Sequence, residues 1–354
     1  MINILTLLLT ILIFGFLILI HETGHLVAAK SFGVKVHEFT IGFGPRLFRM
    51  NRGGTDYCLR AIPFGGAVVM EDEETGDYEA EGSFEKASFP KRFVIIAAGA
   101  VMNILLGFVI LCFTFSGMEA IPTTVIDQTM EGFDFAGEQG ILPGDRIVSI
   151  DGYHLFLFGD FDMAMQRANG GPVDIKLERD GRTLVLEDIP LAKKTYVVNG
   201  EAGEYYGLTF RVDPPTIGGK MKYAALNGVN LIRLTWMSLF DLITGTVGLD
   251  ALSGPVGVGV VIGETAKRST PMLWYLVALI TINLGVLNLL PIPALDGGHI
   301  LFMLIELLTR RKISPELKNK ISAVFLILLM LLMLVVTFKD VFMIFGDKIK
   351  GLFG

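Results

Sequence analysis

The 354-residue chain is 52% hydrophobic, has a mean hydropathy of +0.57 and carries only 19% charged residues. Soluble proteins are about a quarter charged, so this composition excludes an ordinary soluble globule and fits a membrane protein with one soluble insert. A formal charge of −6 with no basic stripe argues against nucleic-acid binding, and Cys58 and Cys112 lack metal-type spacing and read as free thiols.

Four apolar segments, over residues 2–29, 93–115, 272–290 and 321–338, each reach about 20 residues, enough to cross roughly 30 Å of hydrocarbon. The first lacks a basic flank and a small-residue cleavage site, so it reads as a retained anchor. Lys30, Lys35, Arg46, Arg49 and Arg52 follow the first segment, and Arg310, Arg311, Lys312 and Lys318 follow the third. By the positive-inside rule both loops face the cytoplasm and both termini lie outside.

Inside the first segment stands His21-Glu22-Thr23-Gly24-His25. A helix here brings His21 and His25 one turn apart on one face, so both imidazoles can reach one metal ion. Glu22 projects beside them, where a carboxylate can take a proton from a metal-activated water. Ionisable groups in a membrane-length segment cost about 2.5–3.5 kcal/mol each on insertion scales, so they are seldom kept without a polar role. A polar helix end reaching the headgroups is the bland alternative, and it leaves the spacing unexplained.

The next loop alternates apolar and β-branched residues over 34–41 and again over 57–62, with turn chemistry at Asn51-Arg52-Gly53-Gly54 between them. It reads as a hairpin lying against or dipping into the membrane beside the metal helix. His37 reads as an exposed strand histidine. The acidic stretch 71–85 reads as a solvated linker.

Residues 123–212 are soluble in composition. Strands 173–179 and 183–186 flank the tight Asp180-Gly181 turn, a hairpin signal, and a short helix is expected over 161–168. The run Leu142-Pro143-Gly144-Asp145-Arg146-Ile147-Val148-Ser149-Ile150-Asp151-Gly152 resembles a bacterial PDZ domain, a module that binds peptide ends or strands by β-addition. His154 falls in it as a surface residue. Residues 219–246 read as an amphipathic helix on the outer membrane surface, with a fifth span as the competing reading. Leu252-Ser253-Gly254-Pro255-Val256-Gly257 breaks regular structure.

The last motif runs Asn288-Leu289-Leu290-Pro291-Ile292-Pro293-Ala294-Leu295-Asp296-Gly297-Gly298-His299. Two prolines end the third span, since neither can donate a backbone hydrogen bond. Asp296 is left on an unwound segment at the depth of His25, either as a helix cap or as a metal ligand, and the matched depth favours a ligand. His299 competes for that role.

Together with Gly42-Phe43-Gly44, Pro63-Phe64-Gly65-Gly66 and Ser253-Gly254-Pro255-Val256-Gly257, the first and last motifs give a chain that resembles the site-2 protease family over nearly its whole length, specifically the bacterial single-PDZ members. That resemblance implies an α-helical polytopic membrane protein of about four transmembrane helices, with a membrane-associated β-hairpin loop and an inserted extracytoplasmic PDZ domain of α+β class. The expected divisions are 1–122, 123–212, 213–270 and 271–354. It implies a bacterial inner-membrane zinc metalloprotease with Zn2+ held by His21, His25 and Asp296 and Glu22 as catalytic base. Asn288 would engage substrate, and Val36, Phe39 and Ile41 would lie on an edge strand offered to it. Substrates would be single-span membrane proteins such as anti-sigma factors, or signal-peptide remnants. Gly99-Ala100 stands where members often carry Gly-Pro ahead of the second-span asparagine, here Asn103. The alternative is a non-proteolytic metal carrier or a PDZ scaffold with a vestigial site.

Overall fold

The computed structural model describes residues 4–70, 80–130, 132–133, 140–198 and 201–353. In chain order the elements begin with α1 (Ile4–Ser31), β1 (Val36–Arg52), β2 (Thr55–Met70), α2 (Phe89–Phe115), β3 (Ile121–Thr129), β4 (Arg146–Ile150) and β5 (Tyr153–His154). There follow α3 (Gly159–Arg167), β6 (Val173–Arg179), β7 (Arg182–Ile189), β8 (Lys194–Val198), β9 (Glu201–Tyr205), β10 (Leu208–Asp213) and α4 (Ile217–Ile243). The chain ends with α5 (Pro255–Arg268), α6 (Thr270–Asn288), α7 (Asp296–Thr309) and α8 (Pro315–Phe353). Contacts divide it into two compact units, one of Met1–Leu111 with Leu231–Gly354 and the other Cys112–Asn230.

Among the described residues, four helices are long and apolar enough to cross a membrane: α1, α2, α6 and the part Pro315–Met343 of α8. These are the four segments expected from the sequence, each longer or shifted by a few residues. In the first unit α2 is the central helix, because glycines let its neighbours approach it closely. A Cβ on Gly24 of α1 would run into the Ala98 carbonyl, and one on Gly285 of α6 would lie 2.8 Å from the Ala100 carbonyl. Ala100 is fully buried at that crossing. Small residues at such crossings let backbones meet where lipid gives no hydrophobic drive to association.

The Leu252–Gly257 run breaks regular structure over 252–254, as expected, and then starts a helix. Gly254 caps α5 and Pro255 fills its first position, where a missing N–H costs nothing. Asp340 of α8, 4% exposed, accepts the Gly254 N–H at 2.9 Å and the Gly257 N–H at 2.7 Å. The cap for α5 therefore comes from another helix, more than eighty residues on, and composition gave no sign of it.

The β loop forms as expected and then does more. Its tip pairs Arg52 with Thr55, and the two strands are long enough to fold over themselves. Residues 38–41 pair with 66–69 on one side and with 56–59 on the other. The segment carrying Phe39 and Ile41 is thus an interior strand, and the expectation that it offers an edge is corrected. Val36 and Phe39 are 4% and 6% exposed and pack with Leu26, Ala29 and Ile95, with Ile41 partly buried against them. These side chains belong to the core that seats the sheet against α1 and α2.

The acidic stretch is also corrected where it is described; residues 71–79 lie outside the described residues. Glu85 is held by Arg92 at 2.6 Å and Lys318 at 3.5 Å, and Lys318 also meets Glu306 at 2.8 Å. Burial works against the Glu306 carboxylate, but the Lys318 hydrogen bond, the Ile313 amide and the charges of Lys318 and Arg92 together outweigh it and hold the group below the usual range. The end of this stretch is a partly buried ionic clamp between the starts of α2 and α8 and the end of α7.

The second unit is built on a six-stranded sheet of order β10-β3-β4-β6-β7, with β5 paired to β4. β6 alternates strictly: Val173, Ile175 and Leu177 point inward and Asp174, Lys176 and Glu178 outward. Phe161, Ala164 and Met165 of α3 lie on one helical face and close the core over Ile126, Ile147 and Ile150. Asp180 and Gly181 both take positive φ, 51° and 73°, as a two-residue hairpin turn requires. The unit is wider than the expected 123–212, since it takes in the end of α2 and the first half of α4.

Candidate metal centre

The unbroken helix α1 sets His21 and His25 on one face, as the spacing demands. His21 Nε2 and His25 Nε2 lie 3.2 Å apart. Asp296 Oδ2 stands 3.2 Å from the first and 3.4 Å from the second. Among the described residues this is the one group of three His, Cys, Asp or Glu side chains whose donor atoms converge this way. His37 and His299 are not in it.

Asp296 gets there by a tight reversal after α6. Pro291 and Pro293 stop the helix, and Gly297 and Gly298 let the chain fold against its own loop. A Cβ on Gly297 would strike the Leu290 carbonyl, and one on Gly298 the Ile292 carbonyl. The close approach these glycines allow is therefore to the preceding turn. Asp296 is the first residue of α7, so it faces the imidazoles from a helix N-terminus, where a negative charge is favoured.

A zinc ion fits this donor set. At zinc–ligand distances near 2.05 Å, tetrahedral ligand atoms sit about 3.3 Å from one another, the separation seen here. Asp296 Oδ2 is buried and accepts no hydrogen bond, so a metal ion would be the partner that the protein does not supply. His25 Nδ1 lies 2.9 Å from the Ile95 carbonyl. The carbonyl can only accept, so Nδ1 carries the proton and Nε2 presents a lone pair to the centre. Gly99 completes the fit: a Cβ there would meet the His25 ring and lie 2.8 Å from His21 Cε1.

Glu22 lies beside this group with its side chain over β2. A Cβ on Gly66 would fall 2.7 Å from Glu22 Cγ and 3.0 Å from the Thr40 carbonyl. Gly66 pairs with Ile41, so the strand 66–70 runs past the carboxylate. Asn288 is the last residue of α6 and is half-buried.

Sequence reasoning missed what α2 supplies. Ile95, Gly99 and Asn103 recur at four-residue intervals, one face of a helix, and all three meet the histidines. Asn103 Nδ2 stands 3.4 Å from His21 Nδ1. The available signal was a polar residue eight positions after Ile95 in an otherwise apolar span.

Comparison with known proteins agrees with this geometry. The model of peptidase family M50 matches residues 9–332. A Clostridium acetobutylicum protein provisionally named a zinc metalloprotease is 36% identical, covering 94% of this chain and 96% of its own length. A Fusobacterium nucleatum protein of the same provisional name is 34% identical, covering 96% of this chain and 100% of its own. The Bacillus subtilis regulator of sigma-W protease RasP is 30% identical, covering 94% and 97%. With four membrane-length helices and a match over nearly its whole length, the chain belongs to peptidase family M50, the site-2 proteases, and is an integral-membrane zinc metalloprotease.

Proposed function

We propose that the protein hydrolyses peptide bonds in or near the transmembrane segments of single-span membrane proteins, with His21, His25 and Asp296 as zinc ligands and Glu22 as base. The observation that carries this is the convergence of two imidazole nitrogens and a carboxylate oxygen, 3.2–3.4 Å apart, beside a fourth side chain that can move a proton. Zinc bound there supplies Lewis-acid activation of water and of the peptide carbonyl. Glu22 takes a proton from the attacking water on its carboxylate and delivers it to the leaving amide nitrogen.

A substrate helix hides its carbonyls in hydrogen bonds, so it must unwind before attack. The outer edge of strand 66–70 is the surface that can hold it extended, since 38–41 is paired on both sides and no further strand pairs with 66–70 among the described residues. That strand passes Glu22, which puts an edge-bound carbonyl within reach of the base. Asn288, at the end of α6, engages substrate beside the centre. The second unit acts as a PDZ-like module that binds peptide ends or strands, or excludes substrates with bulky outer domains. The resemblance to the site-2 proteases favours membrane-anchored regulators such as anti-sigma factors as substrates, and the name of the Bacillus relative ties that protein to sigma-W regulation. The rival reading, a metal carrier, would line several spans with metal-ligating groups, whereas among the described residues His21, His25 and Asp296 are the one group that converges.

Purified full-length protein with a fluorogenic transmembrane substrate tests the reading. Cleavage that stops with chelator and returns with zinc supports it, and chelator-insensitive cleavage or none at all overturns it. The topology is tested with single cysteines in a Cys58- and Cys112-free background. Lys86 and Arg182 are both exposed, and cysteines there should label from opposite sides of the membrane.

A further inference from the structure

Two histidines at the centre need the same tautomer, with the proton on Nδ1 and a lone pair on Nε2. For His25 the Ile95 carbonyl enforces it. For His21 the group facing Nδ1 is the Asn103 side-chain amide, at 3.4 Å. An amide can present either of its ends, and the nitrogen and oxygen are distinguished only by their partners.

With its amino end toward His21, the amide would make Nδ1 an acceptor and put the His21 proton on Nε2. That proton would point at His25 Nε2 and Asp296 Oδ2, where a metal must sit. The other end of the amide, Oδ1, is buried with no hydrogen-bond partner. Exchanging the two ends therefore breaks no hydrogen bond there, and it sets Oδ1 against Nδ1. The residue itself has no freedom to leave. Asn103 is fully buried, its carbonyl accepts from the Thr281 hydroxyl at 3.3 Å, and its Cβ backs on to Gly285 of α6.

We propose that Asn103 is a positioning residue for the zinc centre, accepting the His21 Nδ1 proton through Oδ1 and so holding His21 as an Nε2 ligand. It does for His21 what a main-chain carbonyl does for His25. Both acceptors come from the same face of α2, so one helix sets the protonation of both imidazoles. This inference rests on the zinc centre proposed above.

The test is zinc affinity of the full-length protein in detergent, measured by chelator competition with zinc alone as probe, for Asn103→Leu and Asn103→Asp. Partners that orient a ligating histidine are typically worth about 10–100-fold in metal affinity. Asn103→Leu keeps bulk without an acceptor and should weaken zinc by that factor. Asn103→Asp restores an acceptor and should bind within about threefold of the unaltered protein or tighter. If the leucine variant does not fold, Asn103→Ala takes its place with the same expectation. Unchanged affinity in the acceptor-free variant, or equal weakening in the aspartate variant, overturns the proposal and leaves the zinc centre standing. Failure of the unaltered protein to bind zinc overturns the centre itself.

Discussion

The metal centre and the second unit treat a buried carboxylate in opposite ways. In the second unit Asp145 is 1% exposed and both its oxygens are bonded: Arg179 donates to Oδ1 and Oδ2 at 2.7 Å each, and the Leu142 N–H donates to Oδ2 at 2.8 Å. Asp160, equally buried, accepts from the Phe156 and Leu157 amides at 2.8 and 2.9 Å. These carboxylates tie loops to the sheet and to α3. In the first unit Asp296 Oδ2 is buried with no hydrogen-bond donor, facing two imidazole nitrogens. A carboxylate whose neighbours supply all its hydrogen bonds is structural. One left open against other open donor atoms is arranged for something that is not protein.

The sharpest way to break that contrast is to remove each carboxylate. Asp296→Ala should lose zinc and bring cleavage to background, while His299→Ala keeps most of its zinc. Metal analysis of the two purified variants decides it, and the reverse result would move the third ligand to His299. Glu22→Gln comes next. It should keep its zinc and lower turnover by about 10²–10⁴-fold, the usual worth of a general acid–base group. Normal turnover in that variant would remove the proton role from Glu22.

Smaller effects belong to the structural carboxylates. Asp145→Ala strands the Arg179 guanidinium and should destabilise the second unit by about 3 kcal/mol, at the low end for breaking a buried pair because Arg179 is partly exposed. Hydrogen exchange in the full-length protein reads this as lost protection in β4 and β6, with zinc content unchanged. A drop in zinc would mean that Asp145 is not purely structural. Asp340→Ala removes the acceptor for two amides at the start of α5 and should cost about 2 kcal/mol, the upper range for a helix cap. Faster exchange of the Gly254 and Gly257 amides is the signature, and unchanged exchange would show that water replaces the carboxylate there.

Much of the centre was legible because it obeys a local period. His21 and His25 are one turn apart in any helix, and the length and hydropathy of their segment fix that helix without reference to the rest of the chain. The two-residue turn at Asp180-Gly181 and the alternation of β6 are equally local, since each is set by side chains a few positions apart. The clamp of Glu85 with Arg92 and Lys318 was not legible, because an acidic run looks the same whether its partners are water or distant cations. Nor was the interior place of residues 38–41: alternation gives a strand but not the number of its neighbours, and here β2 folds round to occupy both sides.

The sequence by itself determined the membrane-length helices, the paired histidines and the break that frees Asp296, because backbone geometry and proline chemistry act within a few residues. Only the tertiary structure decided which side chain closes the group, with Asp296 Oδ2 within 3.4 Å of both imidazole nitrogens and His299 outside it. It also decided that α2 faces the histidines with Ile95, Gly99 and Asn103, and that Asp340 caps α5. Those pairings join residues 70 to 275 positions apart. No local rule reaches so far, because each pairing depends on which distant helices and loops pack together.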